Sequence, residues 1–252
     1  MKRWLGYGLL GLLAYVIFML IQFPAANFMD LLGRYLPGLT AQEVQGSARK
    51  GTAREVRLHD TRFETLSWRF RPLALLKGRL EYRVIAEAPQ LRLEGAAGVG
   101  LRRQLQIEDL SGHLPLPRAI ALIGRPTLPL NGNVELDLTE LHLDRDGRPR
   151  AAYGTTRLLD TRTTLGRPLD LGDFSAELTT EDQTILGTVK DNGGPLELTG
   201  VLALTPDGRY RFTGQVALRD PNNQDLRQAL TALGQPGADG KWQMEFTGVL
   251  RG

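Results

Sequence analysis

The sequence predicts a mainly β protein: a curved antiparallel sheet, a trough or a partly closed barrel, with short helices and one preceding N-terminal transmembrane helix. Three observations predict it. Residues 4–23 form an uncharged apolar run. From Val44 onward apolar and polar residues alternate with a period of two, the pattern of strands with one buried and one wet face. A pentapeptide of the form apolar, small polar, glycine, any residue, apolar recurs in several of those strands.

The first element is the run WLGYGLLGLLAYVIFMLIQF. A helix of that length covers about 30 Å, the thickness of a bilayer's hydrocarbon core. Lys2 and Arg3 precede it and the next charge is Asp30, so the positive-inside rule leaves the N-terminus in the cytoplasm and exports the chain beyond Phe23. Trp4, Tyr7 and Phe23 stand where interfacial aromatics belong, with Leu10, Ile17 and Leu20 in the apolar body. The alternative is a cleaved signal peptide, whose apolar core spans about 7–15 residues before a small-x-small site. Here the run is longer, and Phe23 or Pro24 spoils each nearby site. Residues 1–24 therefore read as a retained anchor with a short cytoplasmic stub.

Residues 25–38 (AANFMDLLGRYLPG) place Phe28, Leu31, Leu32 and Tyr35 at helical spacing before Pro37-Gly38 ends the pattern. This predicts an amphipathic helix against the membrane surface or capping the first strands. The β-rich domain occupies 39–252. Leu66, Trp68 and Phe70 share one strand face, as do Leu80, Tyr82 and Val84, then Val134, Leu136 and Leu138, then Phe174, Ala176 and Leu178. Asp146-Gly147, Asn192 to Pro195 and Thr205 to Gly208 supply turn signals. Residues 195–220 form the clearest unit, a hairpin in which Leu196, Leu198, Leu202 and Leu204 meet Tyr210, Phe212, Val216 and Leu218. Short helices are predicted over 117–123, opened by proline, and over 222–233, with an Asn cap and a Gly234 stop. The last strand covers 242–250. Proline-rich 125–130 (RPTLPL) divides the domain into halves that read alike, 39–124 and 131–252.

The recurring pentapeptides centre on Gly112, Gly132, Gly200, Gly214 and Gly248. Glycine inside a strand costs about 0.5–1 kcal/mol against alanine, and it permits a bend or a close approach by a facing layer. Repeated across strands, it would curl the sheet. The competing reading is that each glycine makes room for a bulky neighbour on the adjacent strand. Recurrence in several strands favours collective curvature.

No residue set for catalysis, cofactor binding or metal binding emerges. Cysteine is absent, which removes disulfides, thiolate metal sites and a cysteine nucleophile. His59, His113 and His142 have no metal-ligand spacing. Ser47 lacks the glycine pattern of a nucleophile elbow. The loop from Gly234 to Lys241 has the wrong spacing for a phosphate loop and comes after a helix. Net charge is +3, two units of it from Lys2 and Arg3, which argues against a nucleic-acid partner. The sequence thus reads as a non-enzyme without cofactor. Its means of action are surfaces: a concave apolar face, or an edge strand such as 242–250.

The order of motifs resembles the type II secretion system protein N family (general secretion pathway protein N). The signals are the N-terminal anchor, Val44-Gln45-Gly46-Ser47 followed by Gly51, and a strand ending in Leu66-Ser67-Trp68. They continue with PLALLKGRL over residues 72–80, then Gly208-Arg209-Tyr210, Phe212 and Gly214, leading into Asp225-Leu226 and Leu233-Gly234. The resemblance implies a single-pass inner-membrane protein with a periplasmic β domain. It further implies contact with the outer-membrane secretin or the inner-membrane platform proteins during export of folded proteins. No catalytic or binding residues come with it. A lipid-binding or lipid-transporting groove, as in related periplasmic β proteins, is the alternative.

Overall fold

The computed structural model describes residues 7, 11–12, 14–15, 18, 22–35, 38–58, 61–100, 104–122, 129–144, 147–163, 168–231 and 234–249. The chain divides into two compact units, Met1–Leu101 and Arg102–Gly252. Each is a meander in which every strand pairs antiparallel with the next, the outcome expected when tight turns join alternating strands. The mainly β expectation holds, and each sheet is open rather than closed into a barrel.

Unit 1 holds helix α1 (Ala25–Tyr35), strands β1 (Leu39–Gly46), β2 (Lys50–Leu58) and β3 (Thr61–Phe70), a 3-10 helix (Pro72–Lys77), then β4 (Arg79–Ala88) and β5 (Leu91–Gly100). Residues Tyr7, Gly11, Leu12, Ala14, Tyr15, Phe18 and Gln22 are helical, and Tyr7, Leu12, Tyr15 and Phe18 are all exposed. Trp4, Leu10, Ile17 and Leu20 of the expected anchor lie outside the described residues. Among those described, no helix is long and apolar enough to cross a membrane.

Helix α1 sits on the aromatic face of the unit 1 sheet. Phe28 packs between Trp68 and Tyr82, with ring centroids 5.7 and 5.3 Å away, and Phe70 lies beyond Tyr82 at 5.4 Å. Gly95 and Ala97, opposite Val84 and Tyr82 on β5, are small enough to leave room for these rings. Ala25 and Met29 are buried and Phe28 and Leu32 half-buried, so the packed stripe runs along Ala25, Phe28, Met29 and Leu32. Leu31, expected on that stripe, is exposed instead. β4 also departs from simple alternation. Leu80, expected in the core, is exposed because it precedes the helix-covered part of the strand. Glu81 is buried, its carboxylate held by Arg71 at 2.6 Å.

Unit 2 holds β6 (Leu105–Pro115), α2 (Leu116–Leu122), β7 (Leu130–Leu143), β8 (Pro149–Thr163), β9 (Leu169–Glu181), β10 (Thr184–Asp191), β11 (Leu196–Leu204), β12 (Arg209–Leu218), α3 (Gln224–Thr231) and β13 (Trp242–Val249). The expected hairpin forms in register, from Leu196 opposite Leu218 to Leu204 opposite Tyr210, closed by a Gly208 to Thr205 backbone bond of 2.9 Å. Both short helices form, each slightly displaced from expectation. α3 starts later than expected, and Asn223 rather than Asn222 accepts the Leu226 amide at 3.1 Å. Leu226 and Leu230 of α3 bury against Phe174, Leu196, Val216 and Trp242, which makes the core of this unit. The proline-rich 125–130 segment lies almost wholly outside the described residues.

Candidate interaction surfaces

In unit 1 the two stretches around Gly46 and Trp68 form one packed feature. Any Cβ on Gly51 would overlap the Trp68 ring, so the missing side chain is the seat of the indole. Trp68 Nε1 then donates to the Ser47 carbonyl at 3.2 Å. Gly46, at φ +96°, allows the tight return between β1 and β2. The chain arriving from the N-terminal helix joins at the same place. Ala48 donates its amide to the Phe23 carbonyl at 2.8 Å, and Pro24 bridges Ser47. Phe70 donates its amide to the Arg49 carbonyl at 2.7 Å. Phe23, the β1–β2 hairpin and the end of β3 therefore lie side by side.

The face opposite α1 is basic at that end. Lys50, Arg69 and Arg83 stand in direct cross-strand register and line a hollow of about 510 Å³ with Gln45, Thr52 and Ser67. Like charges directly opposite each other destabilise a sheet, and Glu94 relieves Arg83 from 3.3 Å. The 3-10 helix caps this end. Pro72 opens it, and Gly78 closes it at φ +69°. Side chains three residues apart eclipse in a 3-10 turn. Ala74 is thereby buried, while Leu73 and Leu76 both face outward, 77% and 76% exposed.

In unit 2 the glycines of two pentapeptides face each other across strands, Gly200 opposite Gly214. The Phe212 ring lies over both: Cβ atoms at these positions would meet its Cζ at 2.6 and 2.9 Å. Phe246 stacks on Phe212 at 6.3 Å from β13. β13 pairs with β12 and, among the described residues, has no partner on its other side. Phe246 and Val249 on it are exposed, as is Val201 on β11.

The other residues singled out in the sequence are more scattered. Gly112 lies in β6, Gly132 in β7 and Gly248 in β13. Gly132, at φ +146°, sits at a register shift, where a Cβ would press the Leu159 carbonyl at 2.8 Å. His113 is an exposed strand residue, and His142 contacts Glu140 at 2.5 Å. His59 lies outside the described residues. Among those described, no group of three His, Asp or Glu could hold a metal ion. Burial pushes the Tyr82 hydroxyl up to about 12. The Thr205 hydroxyl and the Arg209 amide hold the exposed Asp207 carboxyl below its usual range and so brace the β11–β12 turn. The exposed Leu73 and Leu76 went unread in the sequence as surface. The available signal was two leucines three apart, between a proline and a glycine, in a stretch without acids.

Comparison with known proteins adds the family. The family model described as "Type II secretion system (T2SS), protein N" matches residues 37–245. The chain is similar to the type II secretion system protein N of Vibrio cholerae, 27% identical over 99% of this chain and 100% of that one. It is similarly related to the Aeromonas hydrophila protein of the same name, 26% identical over 99% and 100%. The Pectobacterium carotovorum counterpart is 30% identical over 62% of this chain and 65% of its own. No solved structure matches.

Proposed function

The chain belongs to the type II secretion system protein N family, and on that footing we propose that it is a non-enzymatic assembly and interaction component of the type II secretion machinery. In this reading residues 4–23 hold it in the bacterial inner membrane, α1 lies at the membrane surface, and residues 39–252 work in the periplasm. The exposed side chains of Tyr7, Leu12, Tyr15 and Phe18 support the anchor, because an uncharged apolar run that leaves such side chains outside the protein needs an apolar surrounding.

The observation that carries the interaction role is β13. Among the described residues it has one edge without a partner strand, and it carries two exposed apolar side chains, Phe246 and Val249. A partner strand can add to such an edge through main-chain hydrogen bonds. The secretin or the inner-membrane platform proteins are the partners this reading expects. The chain contains no cysteine, so single cysteines at Gln243, Glu245 and Thr247 can each carry a photo-cross-linker in the intact machine. Adducts with a secretin or platform protein are expected. Adducts with neither, or normal secretion of folded proteins from a deletion strain, would overturn the role. The lipid-groove alternative has less support, because α3, Phe174, Val216 and Trp242 fill the inner face of the unit 2 sheet around them.

A further inference from the structure

We infer that the Pro72–Lys77 3-10 helix is a second membrane contact: Leu73 and Leu76 dip into an anionic bilayer surface whose headgroups meet the basic end of the unit 1 sheet. The inference rests on the anchor reading for residues 4–23 and says where on the β domain the same bilayer lies.

Three observations lead to it. The first is exposure. Two leucines on one face of a well-capped turn are more than three-quarters exposed, and Leu80 and its cross-strand partner Val99 are exposed beside the same end of the sheet. Apolar surface gathered this way marks a contact with something apolar. Packing does not force it, since Ala74, with Leu75 half-buried, seats the turn on the protein and leaves Leu73 and Leu76 out of that contact.

The second is position. Phe23, the last residue of the apolar run, is hydrogen-bonded through its carbonyl to Ala48, and the adjacent Arg49 is bonded to Phe70, two residues before Pro72. Neighbouring strands stand about 4.8 Å apart, so the turn begins on the order of 15 Å from the point where the run ends. The exposed leucines thus project from the end of the sheet at which the chain arrives from the anchor.

The third is charge. Residues 45–54 and 65–80, which build this end, contain Arg49, Lys50, Arg54, Arg69, Arg71, Lys77 and Arg79 and not one carboxylate. Arg71 is engaged by the buried Glu81 just beyond, and Arg54 reaches Glu43 at 3.3 Å. Lys50, Arg69 and Arg83 form the cross-strand row described above; Glu94 relieves it at Arg83, and an anion against Lys50 and Arg69 would relieve the remaining like-charge pair. Basic residues attract the anionic lipids of a bilayer, and short apolar side chains add insertion into the headgroup and acyl boundary. The far end of the β4–β5 hairpin, at Gln90, has no such cluster: Glu87 pairs with Arg92 there at 3.1 Å.

The test uses the full-length chain in proteoliposomes containing phosphatidylglycerol, with an environment-sensitive fluorophore on Leu76→Cys or, as control, on Gln90→Cys, both exposed positions. At position 76 the emission is expected to shift to the blue. Spin-labelled lipid should quench it, and iodide should quench it on the order of threefold less than at position 90, as for a side chain at an amphipathic interface. Replacing phosphatidylglycerol by phosphatidylcholine, or adding Lys50→Gln and Arg69→Gln, should weaken that protection. Vesicles that float with the protein while position 76 is as open to iodide as position 90 overturn this inference and leave the anchor standing. Protection from iodide without quenching by lipid-borne label means that protein covers the leucines, and also overturns it. Protein that fails to float sinks the anchor and this contact together.

Discussion

Phe212 lies across Gly200 and Gly214, and Trp68 lies across Gly51, so at these positions an absent side chain is the room an aromatic ring occupies. That geometry makes the two readings of the pentapeptides separable. Gly200→Ala should destabilise unit 2 by roughly 1–3 kcal/mol, because its Cβ would overlap the ring and the Thr213 carbonyl, 3.0 Å away, cannot yield. If ring seating is the reason, Phe212→Leu should recover a large part of that loss in a double-mutant cycle read by urea unfolding. An undiminished loss would instead point to backbone curvature at Gly200. Tyr82 carries a second prediction. Its hydroxyl is buried and makes no hydrogen bond among the described residues, so Tyr82→Phe should stabilise the protein by about 1 kcal/mol. The sign of its pH dependence comes from the raised value. Between pH 10, where an unfolded tyrosine ionises, and about 12, the folded ring keeps its proton while the unfolded one loses it. Wild-type stability should therefore fall across that window, and the fall should be smaller in Tyr82→Phe.

At the scale of elements, α3 is the clearest case of a helix held by tertiary contacts. Eight residues are too few to be helical alone in water, so its stability comes from Leu226 and Leu230 beneath it and Asn223 at its start. Leu226→Ala should cost about 2–4 kcal/mol, measured by thermal or denaturant unfolding. The elements legible in the sequence were those with uninterrupted alternation, above all β11 and β12. β5 was not legible, since Gly95, Ala96 and Gly98 are all buried and give no period. β8 was obscured by bulges, where Asp160 at φ +51° shifts the register on both sides. On β4 the residues at fault were Leu80 and Glu81. An exposed leucine and a buried glutamate invert the pattern, and only the Arg71 pairing and the reach of α1 explain them.

For the whole molecule, the proposed function makes membrane attachment through residues 4–23 the condition on which these surfaces meet a partner. Exchanging residues 4–23 for a cleavable signal sequence is expected to move the protein into the soluble periplasmic fraction and to abolish secretion of folded substrates, read by fractionation and by exoprotein in the medium. Retained secretion by the released form would show that membrane attachment is dispensable. By itself the sequence determined the β class, the central hairpin, helices α1 to α3 and the family, because period-two alternation, turn residues and motif order are local properties of the chain. Only the tertiary structure decided which glycines lie beneath rings, which leucines stay in water, and that the cations of two separate segments gather at one end. Those depend on how separate strands fall into register, and cross-strand register is fixed by neighbours distant in the chain.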